Sequence, residues 1–530
     1  MNLLSLIFNF SRGAERRQKF SCPKEEEPDI DSVARYFYDK TLIGETGQIS
    51  DKVWADLNGD ELFAFTDRTY SHPGQQLLYH TLRAPSAKSF IVENEKISCA
   101  AENENWRNPI EKMLNLLSHP DAYDLAALFQ HTQEVPSKMM QRLYRVCQFF
   151  PFILTSLFVI SNHLITLLFL LSSIILNVIL HYKNKYRLWG YLHSFPQFLI
   201  LLKVASSLHK DPVLKPLSPL LNEDIQTLQT LKRRLRLFQL DAKFDSDAAI
   251  IAYILNEIFR IFFLLEPNIL ANSVQLFNTR KKETEALFLF VGKVDILCSM
   301  ASLRAGLPYY CHPLPTEPKM IDTTGIYHPL IPDCIPNDFS NDKKSIILTG
   351  SNMSGKTAFI RTIAINMLTA QTLNLCFAKT FRSQPMCILS SIHINDDLMN
   401  AKSYYLQEVL TVKEMMDASA TERPVLFLLD ELFKGTNTTE RIAAGKAIIS
   451  ALNSGNNIVL MATHDLELAE MLRNEFSLYH FSEQIEQMEL LFDYKLKKGI
   501  MPHRNAIRIL ELYGYPAQTV NEAYANTTIK

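Results

Sequence analysis

The stretch SIILTGSNMSGKTAFIRTIAINMLTA, residues 345–370, decides the fold. A short apolar run, Ile346 to Leu348, ends in Thr349. Gly350-Ser351-Asn352-Met353-Ser354-Gly355-Lys356-Thr357 then matches G-x-x-x-x-G-K-[ST] in full. After it Phe359, Ile360, Ile363, Ala364, Met367 and Leu368 recur at helical spacing. The order is strand, glycine loop, helix, the context a phosphate-binding loop requires. Glycines let backbone N–H groups turn inward around phosphate oxygens. The helix N-terminus adds partial positive charge. In such a loop Lys356 reaches the β/γ-phosphates of ATP and the Thr357 hydroxyl ligands Mg²⁺. The competing reading, a chance glycine turn before a helix, leaves the downstream residues unexplained.

Those residues follow in order. Val425 to Leu429 is an apolar strand ending in Asp430-Glu431, the Walker B pattern. Asp430 is placed to hold Mg²⁺, and Glu431 to polarise an attacking water. A polar loop, Gly435-Thr436-Asn437-Thr438, comes next. Ile458 to Ala462 is a second apolar strand, ending in Thr463-His464-Asp465. A histidine at a strand's carboxyl end beside a phosphate site can sense the γ-phosphate, so Glu431 and His464 are the candidate catalytic pair.

The rest of the chain is read outward from this core. It has 530 residues, enough for several domains, with 47% hydrophobic and 21% charged residues, so it is a folded protein. A net charge of -2 excludes a global basic field and leaves nucleic-acid binding to local patches, such as Lys232-Arg233-Arg234 with Arg236, and Arg280-Lys281-Lys282. Eight scattered cysteines without a C-x-x-C pair argue against a zinc ribbon and fit a reducing compartment. At the N-terminus the apolar residues precede the basic ones, the wrong order for a secretory signal. Helical text begins at Ile49, is punctuated by Ser71-His72-Pro73-Gly74, resumes over Gln75 to Arg83, and is expected again from Pro109 to about Gln130.

From Val146 to Tyr182 there is no Asp, Glu, Lys or Arg. A single membrane span needs about 20 apolar residues, and this run is roughly twice that. Arg142 and Arg145 precede it; Lys183, Lys185 and Arg187 follow. Two short membrane helices turning near Asn162 put both basic flanks on one side. The alternative is a helical hairpin buried in a large core. Leu188 to about Leu307 reads as long helices, and Pro308 to Asp342 as a linker with short strands.

Taken together, TGSNMSGKT, the stretch from Asp396-Asp397-Leu398 to Ser403, LLDELFKGTNT and ATHD resemble the MutS family of ABC-type ATPases. The resemblance extends to His328-Pro329-Leu330, Pro336-Asn337-Asp338 and Phe492 to Leu496, and more loosely to DRTYSHPGQQLLYHTLR, which is similar to the family's lever or core domain. It implies an ATP- and Mg²⁺-dependent ATPase working as a homodimer on DNA, with Ser403 reaching across to the partner's ATP; the slightly negative net charge and the few basic clusters make the expected DNA binding weak and without sequence specificity. Three departures stand out. The family's GKST is here Lys356-Thr357-Ala358; only about 45 residues precede the core, leaving no room for a mismatch-reading domain; and residues 188–307 leave little for a DNA clamp. The apolar hairpin is an addition similar to membrane-associated MutS-related proteins of bacteria.

The expected architecture is mixed: an all-α lever/core region with an inserted apolar helical hairpin, then an α/β P-loop ATPase domain of ABC type. Its expected segments are 1–45 (entry), 46–145 and 183–307 (helical core), 146–182 (transmembrane hairpin), 308–342 (linker) and 343–530 (ATPase with C-terminal dimerisation helices). Two functions compete. One is a DNA-acting dimeric ATPase. The other is a membrane-tethered ATP switch or scaffold acting on a still unidentified protein partner, its ATPase domain on the cytoplasmic side of a bacterial inner membrane. A transporter ATPase is weaker, since one hairpin is too few spans.

Overall fold

The computed structural model describes residues 20–42, 48–85, 91, 95–132, 135, 137–187, 194–217, 222–228, 264, 273–351, 353–392, 404–433, 437–486, 489–501 and 506–527. Asn352, Lys232 to Arg236, the stretch from Asp396 to Ser403, and Gly435-Thr436 lie outside them.

The N-terminal half is helical: α1 (Ile30–Leu42), α2 (Asp51–Asp56), α3 (Gly59–Thr66), α4 (His72–Arg83), α5 (Glu95–Ala101), α6 (Glu104–Leu114), α7 (Ala127–Gln130), α8 (Lys138–Ser161), α9 (Leu164–Arg187), α10 (Ser194–Leu208) and α11 (Lys281–Gly306). The single helix expected over 109–130 is corrected to α6 and α7, separated by two 3₁₀ turns at Asn115–Leu117 and Pro120–Leu125. Pro120 explains the break, because it disfavours helical geometry at His119 and restarts the chain at a first helical position.

The motif DRTYSHPG makes sense against α11. Asp295 of that helix is fully buried and accepts hydrogen bonds from Tyr70 N (2.9 Å), Ser71 N (2.8 Å) and Ser71 Oγ (2.5 Å). Ser71 in turn caps α4 by accepting from Gly74 N at 3.1 Å. A Cβ on Gly74 would fall 2.2 Å from Asp295 Oδ2, so only glycine lets the two helices meet here. At the far end of α4, Arg83 is buried among aromatic rings, 4.3 Å from the Phe37 centroid and 5.2 Å from that of Trp54, and bonds Asp51 at 2.6 Å.

Helices α8 and α9 form a hairpin. Asn162, in the left-handed region at φ 48°, stops α8, and the chain re-enters helix at Leu164. Each helix has 24 residues, so the two short helices of the expectation are corrected to two long ones that run past the uncharged stretch at their basic ends. Ser173, Asn177 and His181, four residues apart along α9, are buried; Asn177 Nδ2 donates to Cys147 O of α8 at 3.1 Å. The outward positions are apolar and exposed, among them Phe149, Ile153, Ile160, Ile165, Phe169 and Ile175.

The C-terminal half comprises β1 (Ile321–Ile326), β2 (Asn337–Ser340), β3 (Ser345–Thr349), α12 (Lys356–Leu373), β4 (Thr380–Ser383), β5 (Cys387–Ser391), α13 (Tyr404–Ser419), β6 (Val425–Asp430), α14 (Thr438–Leu452), β7 (Ile458–Thr463), α15 (Leu466–Met471), β8 (Phe476–His480), β9 (Glu483–Glu486), β10 (Glu489–Phe492), β11 (Lys497–Lys498), α16 (Ala506–Leu512) and α17 (Ala517–Thr527). A six-stranded sheet has the order β11-β8-β3-β7-β6-β5, parallel except for β11. An antiparallel sheet β2-β1-β4 and a hairpin β9–β10 flank it. Strands β3, β6 and β7 read as unbroken apolar runs because both faces of a parallel sheet are covered. On one face Ile346, Leu348, Leu426, Leu428 and Leu460 join a core that also holds Val33, Phe63 and Leu297 of the helical half. On the other, Ile347, Phe427, Leu429, Val459 and Met461 pack with Val412, Met415 and Ile449 of α13 and α14.

Candidate functional site

Strand β7 lies between β3 and β6, and all three run the same way. The segments that follow them therefore open at one edge of the sheet. These are the loop of residues 350–355, the Asp430-Glu431 corner and His464.

The loop is shaped by backbone conformations that suit glycine. Gly350 has φ 152° and Gly355 φ 103°; Met353 also adopts a positive φ, with its side chain 85% exposed. Lys356 opens α12 with its ammonium folded over the loop, donating to Gly350 O (3.0 Å) and Ser351 O (2.8 Å) and lying 3.2 Å from His464 Nε2. Ser354 Oγ donates to Ser351 O, and Ser351 Oγ to Glu483 Oε2 at 2.6 Å.

Thr357 Oγ1 donates to Asp430 Oδ2 at 2.7 Å, so the hydroxyl and the carboxylate share one small space. Beyond Asp430 the chain turns sharply: Glu431 has φ 55° and Phe433 φ 59°. Positive φ at non-glycine residues stores strain. Two bonds hold it. Glu431 N donates to Ala462 O at 3.0 Å, and Phe433 N to the buried carboxylate of Glu408 at 2.5 Å. The turn aims Glu431 Oε1 at His464 Nε2, 2.8 Å away. Asp465, next in chain, receives a two-pronged pair from Arg441 at 3.0 and 2.8 Å.

Of the sequence-predicted site residues, Gly350, Ser351, Met353, Ser354, Gly355, Lys356, Thr357, Asp430, Glu431 and His464 stand together at this edge. Asn352 and Ser403 are outside the described residues.

Several neighbours received no role at the site in the sequence reading. Glu408 lies a full helix away from the turn it holds. Tyr494 presents a 44% exposed ring against Gly355, and its carbonyl accepts from Asn337 Nδ2 at 3.0 Å. Arg361, one turn into α12, faces the carboxylates of Asp430 and Asp56; burial pulls its guanidinium below the usual range, and those carboxylates oppose this. Burial, reinforced by Arg361, pulls His328 down to about 4. Asp56 carries the contact onward by accepting from Ser390 Oγ (2.6 Å) and Ile392 N (3.2 Å) at the end of β5. Only a periodic gap in the apolar pattern of α2 marks Asp56 in the sequence.

The family model for MutS domain V matches residues 346–529. The DNA mismatch repair protein MutS of Aquifex pyrophilus is 30% identical over 243 residues, which cover 44% of this chain and 28% of that protein. That of Persephonella marina is 30% identical over 249 residues, with the same coverage. That of Thermus thermophilus is 28% identical over 256 residues, covering 46% of this chain and 30% of its own length. The chain thus spans under a third of these relatives. The sheet edge gathers the glycine loop, Asp430-Glu431 and His464, and the match to MutS domain V runs across all of them.

Proposed function

We propose that residues 343–530 are an ATP-binding and ATP-hydrolysing unit of the P-loop, ABC type, and that the chain works as a homodimer on DNA. One observation carries the reading: Lys356, Thr357, Asp430, Glu431 and His464 converge at the ends of three adjacent strands. The loop suits a phosphate chain. A Cβ on Gly350 would fall 2.8 Å from Phe481 O and from Ser354 Oγ, so backbone is packed as closely as a phosphate cradle needs. Thr357 and Asp430 are the hard oxygen donors that suit Mg²⁺. When bound, Mg²⁺–ATP supplies the phosphoanhydride to be cleaved. Lys356 supplies counter-charge to the phosphates, Glu431 takes the proton of the attacking water, and His464 holds the Glu431 carboxylate in line. The exposed ring of Tyr494 offers a flat surface for the base. Ser403 of one subunit completes the other's site.

Glu431→Gln is expected to keep ATP binding and slow hydrolysis by about 10²-fold or more, since general-base help is of that size. Lys356→Ala is expected to weaken binding itself. Wild-type turnover in Glu431→Gln would remove the base assignment.

The relatives are DNA mismatch repair proteins, which supports a DNA-directed function. Phosphate contacts from clusters such as Arg280-Lys281-Lys282 position a protein without reading sequence. Matched and mismatched duplexes are therefore expected to bind alike and weakly, with the log–log salt slope falling by about 0.9 for each phosphate contact removed. The α8–α9 hairpin favours a second element, anchorage in a membrane. Each helix is about 36 Å long at 1.5 Å per residue, against about 30 Å of hydrocarbon. Ser173, Asn177 and His181 face inward and large apolar residues outward, the order a lipid environment selects. The unit then sits on the cytoplasmic face of a bacterial inner membrane. No DNA binding at low salt would turn the proposal to a membrane-tethered switch acting on a protein partner.

A further inference from the structure

We infer that Cys311 and Cys376 form a reversible dithiol–disulfide site that peroxide oxidises, covalently closing a ring around the phosphate-loop segment. The helical half ends at Gly306, and the chain reaches β1 through a strap that lies on the segment following α12. Cys311 N donates to Cys376 O at 3.0 Å and Cys376 N to Cys311 O at 2.9 Å. Farther along, Leu314 N donates to Phe381 O (2.9 Å), and Ser383 N to Leu314 O (3.1 Å).

Residues that exchange both amide bonds across an antiparallel pair have Cα atoms about 5.5 Å apart, and their side chains emerge on the same face. Disulfides need Cα atoms about 4.4–6.8 Å apart. The paired backbone thus holds the two Cα atoms within that range, and neither cysteine is in a disulfide. The neighbouring Cys376 sulfur draws Cys311 below the usual thiol range, while burial pushes Cys376 well above it. Cys311 is partly exposed and Cys376 fully buried. The pair is therefore asymmetric, with one sulfur that an oxidant can reach and one sheltered behind it.

The chemistry balances with hydrogen peroxide as the oxidant. The Cys311 thiolate attacks one peroxide oxygen; an S–O bond forms, the O–O bond breaks, and the departing hydroxide takes a proton to become water. Cys376 sulfur then attacks the Cys311 sulfenic acid. The S–S bond forms, the S–O bond breaks, and the leaving hydroxide takes the Cys376 proton as a second water. Two thiols are oxidised by two electrons, and one peroxide is reduced to two waters. The resulting ring runs from Cys311 to Cys376 and contains β1, β2, β3, residues 350–357 and α12. Its closure pins the strap through which the helical half is joined to the loop.

The test uses the full chain, oxidised with hydrogen peroxide, alkylated and mapped without reduction. The expected result is a peptide pair joined through Cys311 and Cys376, lighter by two hydrogens and released by dithiothreitol. In Cys376→Ser, Cys311 is expected to persist as a sulfenic acid that dimedone traps. In Cys311→Ser, whose side chain is partly exposed and whose folding is safe, Cys376 is expected to stay a free thiol. Equal peroxide resistance of both thiols in the wild type, or Cys311 joined mainly to any other cysteine, would overturn the inference.

Discussion

Helix α11 and the α8–α9 hairpin have nearly the same credentials in sequence, and the fold treats them oppositely. All three helices are long and apolar enough to cross a membrane. Yet 83% of the apolar window of α11 is buried inside the protein, against 22% for each hairpin helix. In α11 the apolar side chains, such as Leu287, Phe290, Val294 and Leu297, are wrapped by protein, and the buried carboxylate of Asp295 has three donors waiting for it. In the hairpin Ser173, Asn177 and His181 are turned inward, while large apolar residues such as Phe149, Ile153 and Ile175 are exposed. Composition establishes that a helix must leave water. Only the placement of polar groups tells what replaces the water.

That contrast can be tested by charge. Leu297→Asp places an unpaired carboxylate in a sealed core, a cost of several kcal/mol or more against a total stability of about 5–15 kcal/mol. It is expected to leave no folded protein by circular dichroism. Ile175→Asp, on an outward position 60% exposed, is expected to leave the fold intact. It should loosen membrane association by about 2.5–3.5 kcal/mol, the insertion cost of a carboxylate near a span's centre, read as release into the soluble fraction. Similar loss of folding in both variants would erase the distinction.

A smaller effect concerns Asp295 itself. Burial raises its carboxyl from 3.8 to about 6. Between those values the folded chain holds a proton that the unfolded chain has released. Stability from this group is therefore full below 3.8 and is lost as pH rises through about 6, a change of roughly 3 kcal/mol. Buried His328, pulled down to about 4, gives a slope of opposite sign in an overlapping window. The difference between wild type and Asp295→Asn in denaturant titrations across that window isolates the first. Asp295→Asn should lower stability and also remove the Asp295 share of the pH dependence; an unchanged slope would contradict the assignment. The smallest effect expected is that of Ile175→Ala, within about 0.5 kcal/mol in detergent.

What was legible in the sequence follows from the range of the forces involved. The loop of residues 350–357, strands β3, β6 and β7, and the turn at Asn162 were readable because glycine chemistry, apolar runs and chain reversal are local properties. The break at His119-Pro120 was equally local but was overridden by the apolar positions around it. Glu408 holding Phe433, Asp56 meeting Ser390, and Arg441 clamping Asp465 join residues 25, 334 and 24 positions apart. No periodicity records such pairings. The same applies to the difference between α11 and the hairpin, which becomes visible only when Asp295 finds Ser71 and Asn177 finds Cys147.

The core that runs without interruption from Val33 through Leu297 to Leu460 changes what a boundary at about residue 343 means. It separates two kinds of architecture, yet heat has nowhere to divide the molecule. The described part of the chain should melt as one calorimetric unit, its van't Hoff and calorimetric enthalpies agreeing. A fragment beginning at residue 343 would bare the faces of α12 and β5 that pack against α4 and α2, and should behave as a sticky, loosely packed species rather than an autonomous engine.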